Sequence, residues 1–566
     1  MEVYLRGRGK INFTKDDYVA SGGEAKIYKQ GLTAFKIFHK QKDMIPEAKF
    51  NELQVITLPN IIKPQEIVTD KNNAPIGFTS NWVEGTPLCK IFVTGYRKRN
   101  GITDDHVVKL IGNIKDGIAH VHQNGCVIVD GNELNYLVDD DHITPYFIDV
   151  NAWKTKTFPP TAIMNSIRDF TTDEFTPSSD WFSFAVIACW TFVGVHPFKG
   201  NHPQYKHSDI EERTKQRMLD KVSIFNKDVK VAPNARMKSI PSHYEEWFKQ
   251  VFENGVRCAP PSESGVIAMI PSDIHVIRGT DNFDIVKIKS FPENIIWYAR
   301  ISGQHVSASK DKVFVEKFAY NNNNTDAIVF SETKRIPIFA SVSKSGRVNY
   351  HTPTNDTIRM SDMNVQEFMV IGNHLYCRNK GNLTEMRMSD QMKNITPVVK
   401  QVWKIMPNSS TLYAGVIYQD ILGIPFLAIP VPSGHKSSRM YNVKVTELDG
   451  HKMIDAKHDN HVCALHTHKD GKYNIIIMRF NDDYTSYDFR VTEVADIGDI
   501  NMITLEQGIC IIIPENGVME AFVNNPALQG VKRVHDSTIT TDMRLCKDGT
   551  QAMFYKDKDL YRISLK

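Results

Sequence analysis

Hydrophobic and polar residues alternate along Lys26–Lys29 and again along Ala34–Phe38, the two-residue period of a half-buried strand. Tyr18-Val19 leads into Ala20-Ser21-Gly22-Gly23-Glu24-Ala25, and Gln30-Gly31 marks a turn, so Asp17–Phe38 predicts three strands. Pro46–Leu58 predicts a helix with Pro and Glu near its start. Two further strands, Gln65–Thr69 and Ile76–Trp82, flank the turn Asp70–Asn73. Val107, Val108, Ile111, Ile114, Ile118 and Val121 repeat at helical spacing over Asp104–His122, and Gly125 stops the pattern. Short apolar runs then follow at Val127–Val129, Tyr136–Val138 and Pro145–Ile148. Trp181–Val193 is apolar on every side and predicts a buried helix, with Ser178-Ser179-Asp180 as its cap. Asp209–Asp220 reads as a charged helix. Pro241–Asn254 reads as an amphipathic one with Trp247, Phe248, Val251 and Phe252 inward.

The pattern changes after Pro260-Pro261-Ser262 and Pro271-Ser272, which predict a linker over residues 266–284. From about Ile285 the helical period disappears. Short runs of β-branched and aromatic residues replace it, among them Ile295–Tyr298, Val313–Val315, Phe368–Ile371, Thr411–Tyr418, Tyr473–Phe480 and Leu560–Leu565. Lys344-Ser345-Gly346, Asn379-Lys380-Gly381, Asp470-Gly471 and Asp548-Gly549 punctuate them as turns. Strands this short and frequent predict an all-β domain over 285–566, a pair of sandwiches or a β-propeller. At about 40 residues per four-stranded blade, the length suits six or seven blades, and a propeller is the preferred expectation. No WD or kelch signature is present.

A chain of 566 residues predicts more than one domain. Net charge is +3, too small for this size to call for nucleic acid or an anionic membrane as partner. The eight cysteines are scattered with no CxxC pair, which predicts reduced thiols in a cytoplasmic setting. The N-terminus lacks the apolar core of a signal peptide, and Trp181–Val195 is shorter than the roughly 20 residues of a membrane helix. His458, His461, His466 and His468 cluster in the second half, but without an accompanying acid at ligand spacing they read as strand and turn residues.

The chemistry concentrates in Val127–Trp153. An apolar run delivers Asp130, Asn135 follows five residues later, and a hairpin then delivers Asp149. Two carboxylates and a carboxamide so spaced can supply the few hard oxygen ligands that Mg²⁺ takes alongside substrate phosphates. The bland alternative is a solvated hairpin with turn-forming Asp and Asn. Upstream, the amides of Gly22-Gly23 could approach phosphate oxygens, and Lys36 on the third strand is placed to reach the same phosphates.

Taken in order, these motifs resemble the protein kinase family over about residues 13–265, with a nucleotide-binding lobe at 13–84 and a helical lobe at 85–265. The string Asp130-Gly131-Asn132-Glu133-Leu134-Asn135 is similar to a bacterial kinase-like subfamily with Asp-x-Asn-x-x-Asn at this place. The resemblance implies ATP and Mg²⁺ as cofactors. Asp130 would orient the acceptor hydroxyl, with Lys36 and Asn132 beside it as catalytic residues, and Asn135 and Asp149 would bind metal. Glu47 would pair with Lys36, with Glu52 as the alternative. Asn81-Trp82-Val83-Glu84-Gly85 would form the hinge, where the backbone at Asn81 and Val83 would meet adenine. Asp180 would anchor the catalytic loop, Gly194–Phe198 would follow the buried helix, and Arg257 would stand for the family's terminal arginine. Lys154–Thr176 would be the activation segment, with Thr155, Thr157, Thr161, Ser166, Thr171 and Thr172 as candidate phosphorylation sites. Two departures stand out: Ile128-Val129 replaces the usual His-Arg, and Asn132 replaces the usual lysine. The expected fold is therefore multidomain, a bilobal kinase-like α+β half followed by a β-propeller-like half. The expected activity is ATP-dependent transfer to Ser/Thr hydroxyls of proteins, with the β half recruiting the protein substrate or partner. The alternative is a pseudokinase scaffold acting through protein contacts.

Overall fold

The computed structural model describes the chain apart from residues 7–8, 162, 207–208, 262–279, 281, 354–356, 359–362, 392–393, 434–435, 496 and 528–529. The linker expected at 266–284 therefore lies largely outside the described residues. The chain is mostly β-sheet with a helical body set between two β regions.

The first region is one antiparallel sheet of seven strands. Its order is Gly9–Asn12, Glu2–Leu5, Ile67–Thr69, Pro75–Asn81, Thr33–Phe38, Ala25–Gln30 and Tyr18–Ser21. Glu2–Leu5 and Gly9–Asn12, ahead of the 13–84 lobe expected from the sequence, are thus strands of this sheet; Val3 is fully buried and Tyr4 pairs with Thr69. Phe35 and Ile37 join a core with Phe13, Tyr18 and Tyr28. The strand period turns Lys36 and Phe38 to the other face, where Phe38 joins the core shared with the helices.

The helix expected over Pro46–Leu58 is shorter, Glu47–Glu52 followed by a single 3-10 turn at Leu53–Val55. The β-branched run Val55-Ile56-Thr57 and Pro59 beyond it disfavour further turns. The helical body comprises Cys89–Phe92, Thr94–Asn100, Asp104–Gln123, Pro177–Val193, Ile210–Leu219 and Ser242–Phe252. The buried helix begins at Pro177, capped by Thr176 in a capping box with Ser179 rather than by Ser178-Ser179-Asp180, and Gly194 closes it at φ 82°. Every residue from Phe182 to Val193 is buried. Gly117 lets the helix Asp104–Gln123 close on the hairpin, since a Cβ there would stand 2.4 Å from the Phe147 ring.

Among the described residues, the second β region consists of seven sheets of three to five strands. Six follow in chain order over 297–321, 327–351, 357–404, 410–444, 452–493 and 502–535. The seventh joins Phe283–Ser290 to the last three strands, so Phe283 pairs with Leu565. Consecutive sheets share hydrophobic clusters, and the sequence of clusters returns to its start: Ile503 and Met519 share one with Phe554, Cys546 one with Tyr298, and Val306 one with Phe339. Val329 shares a cluster with Leu375, Tyr376 with Ala428, Leu427 with Cys463, and Ile475 with Ile512. This last cluster is continuous with the core of the helical body.

The β region touches both earlier bodies. Tyr18 of the first sheet donates to Asp420 Oδ1 at 2.9 Å. On the helical body, Lys98 pairs with Asp557 at 2.8 Å, Arg99 with Asp499, and Lys90 and Lys199 donate to the carbonyls of Ile454 and Ala495. All eight cysteines are free thiols and seven are buried. Among the described residues no helix is long and apolar enough to cross a membrane.

Candidate functional site

The residues singled out around Asp130 form a loop held from below. Asp180, buried near the start of its helix, accepts from the amides of Ile128 at 2.7 Å and Val129 at 2.8 Å, and His122 Nε2 lies 2.9 Å from its Oδ2. Val129 sits at φ +65°, a conformation costly for a β-branched residue, and the Asp180 carboxylate holds it there. Gly131 follows because a Cβ at this point would stand 2.6 Å from the Tyr136 hydroxyl. Asn132 is buried and closes an Asx turn, its Oδ1 accepting from the Leu134 amide at 2.8 Å. Asn135 Nδ2 donates to the Asp130 carbonyl at 2.8 Å and lies 3.4 Å from the Asp130 Oδ2. Its own carbonyl accepts from Ile148 at 3.0 Å, so Asn135 and Asp149 are neighbours across the hairpin.

Asp149 occupies the left-handed region at φ 60°, ψ 31°, and its Oδ1 meets Lys36 Nζ at 2.6 Å. Lys36 also donates to Asn151 Oδ1 at 3.1 Å. Burial alone would raise the Asp149 carboxyl, but the Lys36 ammonium outweighs it and holds the group below its ordinary range. Burial raises Asp130. One Asp130 oxygen accepts from the Met164 amide at 2.9 Å, so residues of the segment after the hairpin cross directly over it. Lys36, Asp130, Asn135 and Asp149 thus converge, although Lys36 comes from a different body and is 113 residues from Asp149.

Other predicted residues stand apart. Neither Glu47 nor Glu52 reaches Lys36. Glu47 pairs with Arg6 at 2.6 Å on the surface, and Glu52 accepts from the Thr157 amide at 3.1 Å. Lys49 and Phe50, between them, are the buried residues of that helix, and its short length leaves the glutamates outside. Gly22 and Gly23 form an exposed tip; the Gly22 amide already donates to Ala25 at 2.9 Å, and no neighbour lies within 4 Å of a Cβ at Gly23. Asn81 ends its strand with its side-chain oxygen taken by Gln65, 2.8 Å away. Val83 leads into Gly85, which presses against Leu137 and Val138 of the hairpin with no room for a side chain. Of the segment hydroxyls, Thr155 is buried and Thr171 donates to Asp169 at 2.6 Å, whereas Thr157 and Thr161 are exposed.

Several contributors escape sequence reading. Asp169 pairs with Arg257, a bond that ties the end of the segment to the end of the helical body. The Met164 amide bonds to Asp130 through the backbone, which no residue identity announces. Glu133, fully buried between Asn132 and Leu134, accepts from the Tyr473 hydroxyl of the β half. Burial raises the Glu133 carboxyl, and Glu133 Oε2 has no partner among the described residues. Of the clustered histidines, His466 bonds the Gly498 carbonyl at 2.7 Å and His458 the Tyr484 hydroxyl at 2.9 Å.

The cleft's oxygen donors fit a divalent cation: Asp149, with Asn135 and Asn151 at its sides, offers hard ligands of the kind Mg²⁺ takes. No family model matches the chain, and no curated protein matches it. Among the solved structures that match is a twitchin kinase fragment of C. elegans, described as an autoregulated protein kinase with immunoglobulin domains. It aligns at 12% identity and a TM-score of 0.33, over 44% of this chain and 56% of that one. The match spans about half the length of that chain.

Proposed function

We propose that the first 265 residues form a bilobal, protein kinase-like phosphotransferase acting on Ser/Thr hydroxyls of proteins, and that the second β region is a seven-bladed propeller. The observation that carries the reading is the meeting of Lys36, from the sheet, with Asp149, from the hairpin, at 2.6 Å beside Asp130 and Asn135. An amine and a carboxylate from separate bodies, facing one another across a cleft, suit the phosphates of ATP and their counter-cation. Lys36 would bind the phosphate oxygens. Asp149 and Asn135 would hold Mg²⁺, which supplies charge neutralisation on the phosphates. Asp130 would orient the acceptor hydroxyl, and Asn132 keeps the loop in shape through its Asx turn. The propeller reading rests on seven sheets whose clusters run in a closed cycle and on pairing of the first strand with the last. Its outer face is the expected site for a protein substrate or partner, with a cytoplasmic setting consistent with free thiols.

A second reading, a nucleotide-binding scaffold without transfer, is favoured by the Met164 amide on Asp130. Incubation of the purified chain with Mg²⁺ and γ-labelled ATP, alone and with dephosphorylated casein, separates the two. Label that disappears in Asp149→Ala supports transfer. Thermal stabilisation by ATP without label supports the scaffold, and neither label nor stabilisation sinks both.

A further inference from the structure

We propose that the β half contributes a catalytic residue to this cleft: Lys452, at the start of the strand Lys452–Asp459, presents its ammonium to the transferred phosphoryl group. The proposal rests on the phosphotransfer reading above. Three geometric observations lead to it. The Tyr473 hydroxyl reaches into the loop Asp130–Asn135 and donates to Glu133, with both residues buried. Tyr473 pairs with His468 and His468 with Lys452, so the three side chains form one row on one face of the sheet. The His468 and Tyr473 rings lie 4.9 Å apart along that row. The row that meets the catalytic loop at Tyr473 therefore carries Lys452 two strand spacings away, about 10 Å. Finally, Lys90 of the helical body donates to the Ile454 carbonyl, which fixes this strand two residues from Lys452.

Lys452 lies near enough for its charge to act at both Asp130 and Asp149. Lys452 itself is exposed, and no ion pair neutralises it among the described residues. The loop Asp130–Asn135 contains no cation, and Lys36 approaches from the opposite body. Negative charge in phosphoryl transfer spreads over three equatorial oxygens, so a cation on the β side meets charge that Lys36 does not cover. In the step, the bond from the γ-phosphorus to the bridging oxygen breaks and ADP leaves with the electron pair. A bond from the acceptor oxygen to phosphorus forms, and the hydroxyl proton passes to Asp130 or solvent. Lys452 stays protonated throughout.

The test compares the full chain with Lys452→Ala, Lys452→Arg and Asp149→Ala. It measures label transfer from γ-labelled ATP to dephosphorylated casein, binding of a fluorescent ATP analogue, and melting temperature. Lys452→Ala should lower kcat about 100-fold with the melting temperature and nucleotide affinity near wild type, and Lys452→Arg should recover most of the loss. Wild-type kcat in Lys452→Ala, while Asp149→Ala is inactive, overturns this proposal alone. A matching loss of nucleotide affinity and melting temperature also overturns it, because Lys452 would then be structural. Absence of transfer by the wild-type chain overturns the proposal together with the reading beneath it.

Discussion

Asp180→Ala is the sharpest perturbation of the loop that carries Asp130. The carboxylate accepts from two buried amides, Ile128 at 2.7 Å and Val129 at 2.8 Å, and stands 2.9 Å from His122 Nε2. A buried amide left without its partner costs about 1–3 kcal/mol, so the two together cost about 2–6 kcal/mol. Val129, freed from φ +65°, would recover about 1–2 kcal/mol by relaxing towards the β region. At mid-range the net loss is about 2.5 kcal/mol, within bounds of about 0–5 kcal/mol, which lowers the melting temperature of a body this size by about 5–10 °C. Asp180→Asn retains one acceptor oxygen and should lose roughly half as much. Two measurements check this: thermal unfolding followed by tryptophan fluorescence, since Trp181 and Trp190 lie on the same helix, and hydrogen exchange at the Ile128 and Val129 amides. Exchange at both amides should accelerate in Asp180→Ala ahead of the rest of the helical body. An unchanged melting temperature with unchanged protection at those amides would refute the reasoning, because it would mean that the loop keeps its shape without Asp180.

Glu133→Gln should stabilise the chain at neutral pH, since glutamine can accept from Tyr473 without placing a charge in the core. Burial raises the folded carboxyl above its ordinary value of 4.5, so its contribution to stability is fully present below 4.5 and is lost as pH rises through the folded value. The Gln variant's advantage should therefore be largest near pH 8 and vanish by about pH 4; melting temperatures across that range that show the opposite trend would refute it. Arg257→Leu strands the buried Asp169, whose side chain is 3% exposed, and should cost about 3–5 kcal/mol by chemical denaturation. A cost under about 1 kcal/mol would show that solvent or another cation replaces the arginine.

The elements of the first half follow from local pattern. Alternation over Ala25–Gln30 and Thr33–Phe38, the helical spacing of Asp104–Gln123 and the all-round apolarity of Pro177–Val193 are each legible in residue order, because burial of one face leaves a period in the chain. The same holds for the seed of the site. Asp130, Asn135 and Asp149 lie within twenty residues, and turn chemistry brings them together. The many short strands of the second half were equally legible as strands. Their arrangement was not, because the closing pair Phe283 and Leu565 stands at the two ends of the β half. Local pattern also misplaced what depends on the third dimension. Glu47 has the sequence position to pair with Lys36, but a short helix turns it outward to Arg6, and Lys36 meets Asp149 instead. Thr155 reads as a loop hydroxyl and is buried. Tyr473 lies more than 300 residues beyond the loop it bonds, in a region with no catalytic pattern of its own. Residue order therefore determined which segments are strands, which are helices and which short stretch carries the carboxylates, since those depend on neighbours along the chain. Only tertiary structure decided which cation faces which acid and which β residue bonds the loop, because those contacts are set by docking between bodies and leave no period in the sequence.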